Sequence, residues 1–236
     1  GPQGTVFGQT STGGAINVIT RKPVLGEFHT DASVSAGNYN YFKMNAGVNV
    51  PIGDTLAYRG FFQYYRHDGY TKATAVQGYP GGYDLDDANN IAMRGALLWQ
   101  PTDSTTVELA GQYFDADIHG FAQKNILDPD PDPRRVTQDL RARYRLKTRM
   151  ASVSITQDIG DFATLKSVTA WQYVNRVSSA ENDMLASPTY YDHLELWQDK
   201  SKAFTQEVTA TSKLGTQLEW IIGGFYLRQH ALQKID

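Results

Sequence analysis

From residue 27 onward the chain alternates apolar and polar side chains with a period of two, as a β-strand with two unlike faces requires. Phe28, Thr30, Ala32, Val34 and Ala36 fall on one face, and His29, Asp31, Ser33 and Ser35 on the other. The next segment sets Phe42, Met44, Ala46, Val48 and Val50 against Lys43, Asn45 and Asn49. A third sets Leu56, Tyr58, Phe62 and Tyr64 against Arg59, Gln63 and His67, and a fourth sets Ile91, Met93, Leu97 and Trp99 against Asn90 and Arg94. Val107, Leu109 and Tyr113 then oppose Glu108 and Gln112, and Ala151, Val153 and Ile155 oppose Ser152, Ser154 and Thr156. Segments near 165–177, 203–211 and 218–230 follow with less clean faces. The pattern predicts about nine strands, most of them long enough to cross a bilayer when tilted.

The links between these segments carry a second rhythm. Short turns fall at 51–54, 101–103, 158–161 and 214–216, and long links at 68–88, 118–144 and 178–200. Short and long alternate, except that 37–40 is short where a long link is expected. Tight turns at one end and long loops at the other are the asymmetry of outer-membrane barrels. A soluble β-sandwich or propeller would also alternate, but over strands of about five or six residues. It would have no need of aromatics such as Tyr58, Tyr64 and Trp99 near strand ends.

Composition narrows the choice further. The 236 residues include 14 tyrosines and 21 glycines but no cysteine, and the net charge is −3. Disulfide frameworks and thiol metal sites are excluded, and no basic stripe points to nucleic acid. No apolar run reaches the ~18 residues of a membrane helix, which a barrel does not need. The chain opens without an initiator methionine or a signal peptide, and inside a motif, so it is expected to be a fragment.

That motif is Gly1-Pro2-Gln3-Gly4-Thr5-Val6-Phe7-Gly8, followed by Gly13-Gly14-Ala15-Ile16-Asn17-Val18-Ile19-Thr20-Arg21-Lys22-Pro23. It resembles the end of the plug domain of TonB-dependent outer-membrane receptors. The resemblance implies an all-β fold, a partial transmembrane antiparallel β-barrel of about nine strands out of about 22, preceded by the C-terminal piece of a plug. The boundaries it implies are 1–24 for the plug end and 25–236 for the barrel part. Gly1, Gly4, Gly8, Gly13, Gly14, Asn17, Arg21 and Lys22 become structural or gating positions. The implied activity is energised uptake of a scarce solute, most often a ferric siderophore, across the bacterial outer membrane. Cobalamin, oligosaccharides and plant-derived aromatics fit the same loops. The implied partners are the TonB energy-coupling complex, reached through the missing N-terminal part, and outer-membrane lipid and lipopolysaccharide. A monomer is expected. A plain porin or adhesion barrel is the rival; it would have no reason for the segment 1–23.

Candidate contact residues lie in the long links. Tyr79, Tyr83, Tyr190, Tyr191, His193 and Trp197 offer rings with polar tips, suited to stacking on a large solute while hydrogen bonding. Asp84, Asp86 and Asp87 lack calcium-loop spacing, and Asp192-His193 is a weak metal pair, so no metal site is assigned. Asp128-Pro129-Asp130-Pro131-Asp132-Pro133 is expected to form a stiff, polyproline-like loop tip. On the polar face, Asp31, Lys43, Arg59, Arg94, Glu108 and Glu207 are candidate lumen-facing groups, expected mainly to hold the plug. Asp115, Asp117 and His119 cluster at a strand end, but no nucleophile motif accompanies them. No enzymatic activity and no cofactor are expected.

Overall fold

In the computed structural model, residues 19–74, 82–186, 193–212 and 219–235 are described. They form twelve strands: β1 (His29–Gly37), β2 (Tyr41–Ile52), β3 (Leu56–His67), β4 (Thr71–Thr74), β5 (Tyr83–Leu85), β6 (Ala88–Thr102), β7 (Thr105–Ile118), β8 (Arg135–Thr137), β9 (Arg143–Ile159), β10 (Ala163–Glu181), β11 (His193–Ser212) and β12 (Ile221–Ile235). Nine of them make one antiparallel meander, in the order β1-β2-β3-β6-β7-β9-β10-β11-β12. The nine long strands are those the alternation predicts, and the architecture is all-β.

The exceptional short link has a local cause. Tyr39 and Asn40 both hold positive φ, 59° and 51°, and Tyr41 N donates to Asn38 O at 3.2 Å. Positive φ at both central residues is the type I′ turn, whose twist matches the flanking strands. Gly53 and Gly160, at φ 67° and 51°, serve the tight turns at the opposite end.

Register fixes which side chains share a face. Pairing of His29 with Asn49, Asn49 with Arg59, and Arg59 with Ala96 puts the polar positions of β1, β2 and β3 on one side. The other side carries an apolar band that no described residue covers. Tyr58, Met93, Trp99, Leu109, Ile155, Leu165, Trp171 and Phe204 are all exposed there. A continuous exposed apolar surface of this size on a sheet is what a lipid-facing wall presents.

The band runs obliquely to the hydrogen-bonded rows. On β3 it ends at Tyr64, just before Arg66; on β12 it ends at Tyr226, just before Arg228. Following paired residues back from Tyr226 through Gln206, Thr169, Val153, Leu109 and Leu97 arrives at Tyr58, six residues short of Tyr64. That displacement accrues over six strand-to-strand steps. With a rise of ~3.4 Å per residue and ~4.8 Å between strands, it corresponds to a tilt of about 35°. Strands of membrane barrels tilt by about that much.

The structure departs from the sequence expectations at the loop end. The strands β10 and β11 reach to Glu181 and His193, so most of 178–200 is strand and not loop. The long links also hold a second sheet, ordered β5-β4-β8, in which β4 and β8 run parallel. The one compact apolar cluster among the described residues lies here: Ala73, Tyr83, Leu85, Val136 and Ala142. In the Asp-Pro repeat the aspartate side chains cap the backbone. Asp128, Asp130 and Asp132 each accept the backbone N–H two residues on, at 2.8–2.9 Å, a run of Asx turns. Asp128 also accepts Thr137 N at 2.8 Å, tying the run to β8, and these bonds hold its carboxyl below the usual range against the opposing effect of burial.

Candidate functional site

The segment that precedes β1 lies against the polar face of the sheet. Lys22 Nζ donates to Glu108 Oε1 on β7 at 2.6 Å. The firmer anchor is Asn49 on β2, which is 1% exposed. Its Oδ1 accepts Val24 N at 2.9 Å, and its Nδ2 donates to Val24 O at 2.9 Å and to Glu27 O at 2.6 Å. One amide thus satisfies three backbone groups of an irregular segment that has no ladder of its own. Asn49 is absent from the sequence-derived candidates, because its alternation marks only a polar face.

Beside this anchor a cavity of about 500 Å³ is lined by Thr20, Arg21, Asp31, Arg59, Gln63 and Arg94. Arg59 Nη2 approaches Asp31 Oδ1 at 3.6 Å. The Asp31 carboxylate occupies room that only glycine leaves: a Cβ at Gly47 would sit 2.8 Å from it. Lys43 lies 6.0 Å over the Tyr65 ring. The register puts Asp31, Lys43, Arg59, Arg94, Glu108 and Glu207 on this same face, Glu207 being opposite Val168 on β10. Glu207 has no ion-pair partner among the described residues.

At the loop end the same face changes character. Ile118, Tyr144, Ser178 and Trp197 follow one another across β7, β9, β10 and β11. Trp197, expected on a loop, is therefore a strand residue; its indole donates to Asp199 Oδ1 at 3.0 Å. The Arg176 guanidinium lies 5.0 Å over its ring and pairs with Asp199. A cavity of about 450 Å³ opens beside this row, lined by Ile118, Phe121, Tyr144, Ser178, Glu181 and Met184. Neither Arg176 nor Asp199 is among the sequence candidates: Asp199 lies in a stretch that reads as loop, and Arg176 at the end of a strand segment whose faces are less clean. His193 begins β11 opposite Glu181. Tyr79, Tyr190 and Tyr191 lie outside the described residues, as do Gly1, Gly4, Gly8, Gly13, Gly14 and Asn17.

Tyr83 does not face a ligand space. It is 8% exposed, and its hydroxyl donates to Gln138 Oε1 at 3.1 Å and accepts Ala142 N at 2.8 Å. Burial pushes this phenol up to about 12. The side chain is spent on joining β5 to the segment before β9, so the expectation of ligand contact is corrected. Next to it, His119 Nδ1 donates to Asp87 Oδ2 at 2.9 Å, and Arg141 donates to His119 Nε2 at 2.6 Å. The Arg donor assigns the proton to Nδ1. Burial would raise the Asp87 carboxyl, but the His119 bonds prevail and hold it below the usual range. An Asp–His pair of this kind can serve acid–base chemistry, yet a guanidinium fills the place a nucleophile would need. Asp115 and Asp117 do not join His119. They point to the other face and pair with Lys147 at 3.1 Å and with Arg143 and Arg145 at 2.7 and 3.2 Å.

Glu181 closes the gap between two links. It is 2% exposed and accepts Leu140 N at 2.8 Å. Burial pushes its carboxyl up to about 8, with the Asp183 and Asp139 carboxyls adding to the rise.

An oblique apolar band on one face, a polar face with an anchored chain segment on the other, and a structured loop end are the features of a membrane-barrel wall. Solved structures agree on this fold. The ferric yersiniabactin uptake receptor FyuA from Yersinia pestis matches all of the chain at TM-score 0.76 and 17% identity. The ferripyoverdine receptor of the outer membrane of Pseudomonas aeruginosa does so at 0.78 and 16%. The siderophore receptor PiuA from Acinetobacter baumannii matches 91% of the chain at 0.68 and 14%. The chain spans 36%, 32% and 32% of these three. By sequence, 46% of the chain is 26% identical to the metal-pseudopaline receptor CntO of Pseudomonas aeruginosa, over 14% of that protein. No family profile matches the chain.

Proposed function

We propose that this chain is part of a TonB-dependent receptor that takes up a scarce metal chelate, a ferric siderophore first among them, across the bacterial outer membrane. Residues 1–24 are then the end of its plug and 25–236 the first part of its barrel. The observation that carries the reading is the segment 19–27, held by Asn49 and Lys22 against the polar face of a wall whose other face is apolar. A diffusion porin or adhesion barrel has no use for such a segment. In this reading the glycines of the motif, Asn17, Arg21 and Lys22 belong to the element that rearranges when the coupling complex acts. Tyr79, Tyr190, Tyr191, His193 and Trp197 belong to the mouth that meets solute. The receptor is a monomer with no catalytic step.

The test is uptake by the whole parent receptor. Cells depleted of iron and carrying it should grow on at least one ferric chelate, and deletion of the receptor should abolish that growth. Loss of membrane energisation or of the coupling protein should do the same. Growth that persists without energisation would make the barrel a porin.

A further inference from the structure

At the height of the apolar band, the inward face of β1, β2, β3 and β6 carries more positive charge than it answers. The cavity of about 500 Å³ there is lined by three guanidinium groups, Arg21, Arg59 and Arg94, and by one carboxylate, Asp31. Arg59 approaches Asp31 at 3.6 Å, and its side chain is 14% exposed. Arg21 and Arg94 have no ion-pair partner among the described residues. Glu108 on β7 is taken by Lys22. None of residues 1–18 is acidic, so that stretch of chain supplies no counter-ion. Charges drawn out of water need a partner of opposite sign.

Register brings the two wall arginines together. Arg59 on β3 pairs with Ala96 on β6, and Arg94 lies two residues from Ala96 on the same face. The two are therefore diagonal neighbours, with backbones ~7–8 Å apart. Guanidinium forks at that spacing can close on one oxyanion from two sides through charge-assisted hydrogen bonds. Like charges this near repel, and an anion between them turns the repulsion into two attractions. The polar wall of the cavity adds a neutral donor. Gln63 Nε2 donates to Asn45 Oδ1 at 2.7 Å, and Asn45 Nδ2 donates to Ser33 Oγ at 3.0 Å. The Ser33 hydroxyl, having accepted, keeps its own proton to donate into the cavity that it lines.

We propose that this cavity is an oxyanion site, in which Arg59 and Arg94 grip a carboxylate or phosphate group of the solute and Arg21 adds a third charge. The proposal rests on the transport reading and deepens it by naming the chemistry of the solute, one with a free anionic group, and the step that lets it go. Arg59 and Arg94 belong to the wall, whereas Arg21 belongs to the segment which that reading sets in motion. Withdrawal of Arg21 leaves two cations against Asp31, so the hold on the anion weakens as the segment leaves the wall.

The experiment uses the full-length parent receptor in mild detergent. Crystals soaked in selenate, located by its anomalous scattering, should hold the anion within hydrogen-bond distance of Arg59 and Arg94. In solution, equilibrium dialysis should bind labelled inorganic phosphate to the wild type. Citrate, a polycarboxylate, should displace it, and chloride at equal ionic strength should not, a comparison that needs no variant to fold. Arg59→Gln/Arg94→Gln should bind phosphate several-fold more weakly, and Arg59→Lys/Arg94→Lys, which keeps the charge and loses the fork, should fall between. Arg21→Gln should weaken binding by less than the glutamine pair does; no weakening would overturn the release step. Selenate absent from the cavity overturns the proposal. So does a plug carboxylate seated between the two guanidinium groups of the parent, which would make them a clasp for the plug. Selenate in the crystal without phosphate binding in solution would be an adventitious ion only, and overturns it too. Failure of the transport reading shows separately, as anion binding by a receptor on which no ferric chelate supports growth.

Discussion

At Leu109, β7 points an apolar side chain outward, and its neighbour Glu108 points inward to Lys22. Farther along the same strand, Asp117 points outward to Arg143 and Arg145, while Ala116 and Ile118 point inward opposite Leu146 and Tyr144. The period is two throughout; only the polarity of the two faces is exchanged. Below the exchange the outside solvent is hydrocarbon and the inside is polar. Above it the outside is water and charged headgroups, and the inside is a half-buried mouth. The strand does not end where the membrane does.

The sharpest break in this comparison is a charge placed below the exchange. Leu109→Arg should cost about 2–4 kcal/mol, because an arginine near mid-bilayer gives up its hydration. Val177→Arg, outward but above the exchange, should cost about 0–1 kcal/mol. Reversible unfolding of the parent receptor in lipid vesicles measures both. Equal costs would mean that the boundary is misplaced.

The next effect is on the inner face. Asn49→Ala removes the partner of Val24 N–H and of two carbonyls in a part-buried place, which should cost about 1–2 kcal/mol. Hydrogen exchange should rise at Val24 while the β2–β3 ladder stays protected. A change spread over both strands would make Asn49 a general packing residue and not an anchor for the segment.

The mouth has its own core and should respond alone. Tyr83→Phe removes the hydroxyl that Gln138 and the Ala142 N–H share, costing about 1–3 kcal/mol locally. Exchange should quicken at β8 and at Ala142, and not in the apolar band. Glu181 adds a pH dependence. Its folded carboxyl lies at about 8, above the ordinary carboxylate value. Its contribution is therefore complete under acid conditions and is lost as the pH rises through about 8. Exchange at the Leu140 N–H, relative to Glu181→Gln at each pH, should rise across that interval. An identical profile for the variant would remove Glu181 from the junction.

The same exchange of polarity decides what could be read from the sequence. β2, β3, β6 and the lower part of β7 announce themselves, because their outward residues face lipid and must be apolar. The last residues of β10 and the first of β11, within 178–200, read as loop, since Gln198 and Lys200 point outward where an apolar residue would have signalled strand. Trp197 was found as a ring but put in the wrong element for that reason. Tyr83 was found as a ring in a polar link, with no local sign that Leu85 and Val136 would close over it. Asn49 and the Arg176–Asp199 pair act through partners distant in sequence, which a single strand's pattern does not encode. The polar-face residues were legible because they follow from the period-two spacing, whereas Arg21 and Lys22 stood out only by the resemblance of their motif.

The smallest effect should come from the contact that looks strongest by distance. Lys22 and Glu108 meet at 2.6 Å, but their side chains are 61% and 27% exposed. Water competes for both charges, and holding the lysine in one rotamer costs entropy, so the net worth is below about 1 kcal/mol. Lys22→Ala should accordingly leave the unfolding midpoint of the barrel almost unchanged, and less altered than Asn49→Ala leaves it. If Lys22 instead matters to transport, its effect should appear as a change in uptake rate with the stability unmoved, and should shrink as salt screens the pair. A stability loss as large as that of Asn49→Ala would show that the exposed pair, and not the buried amide, holds the segment to the wall.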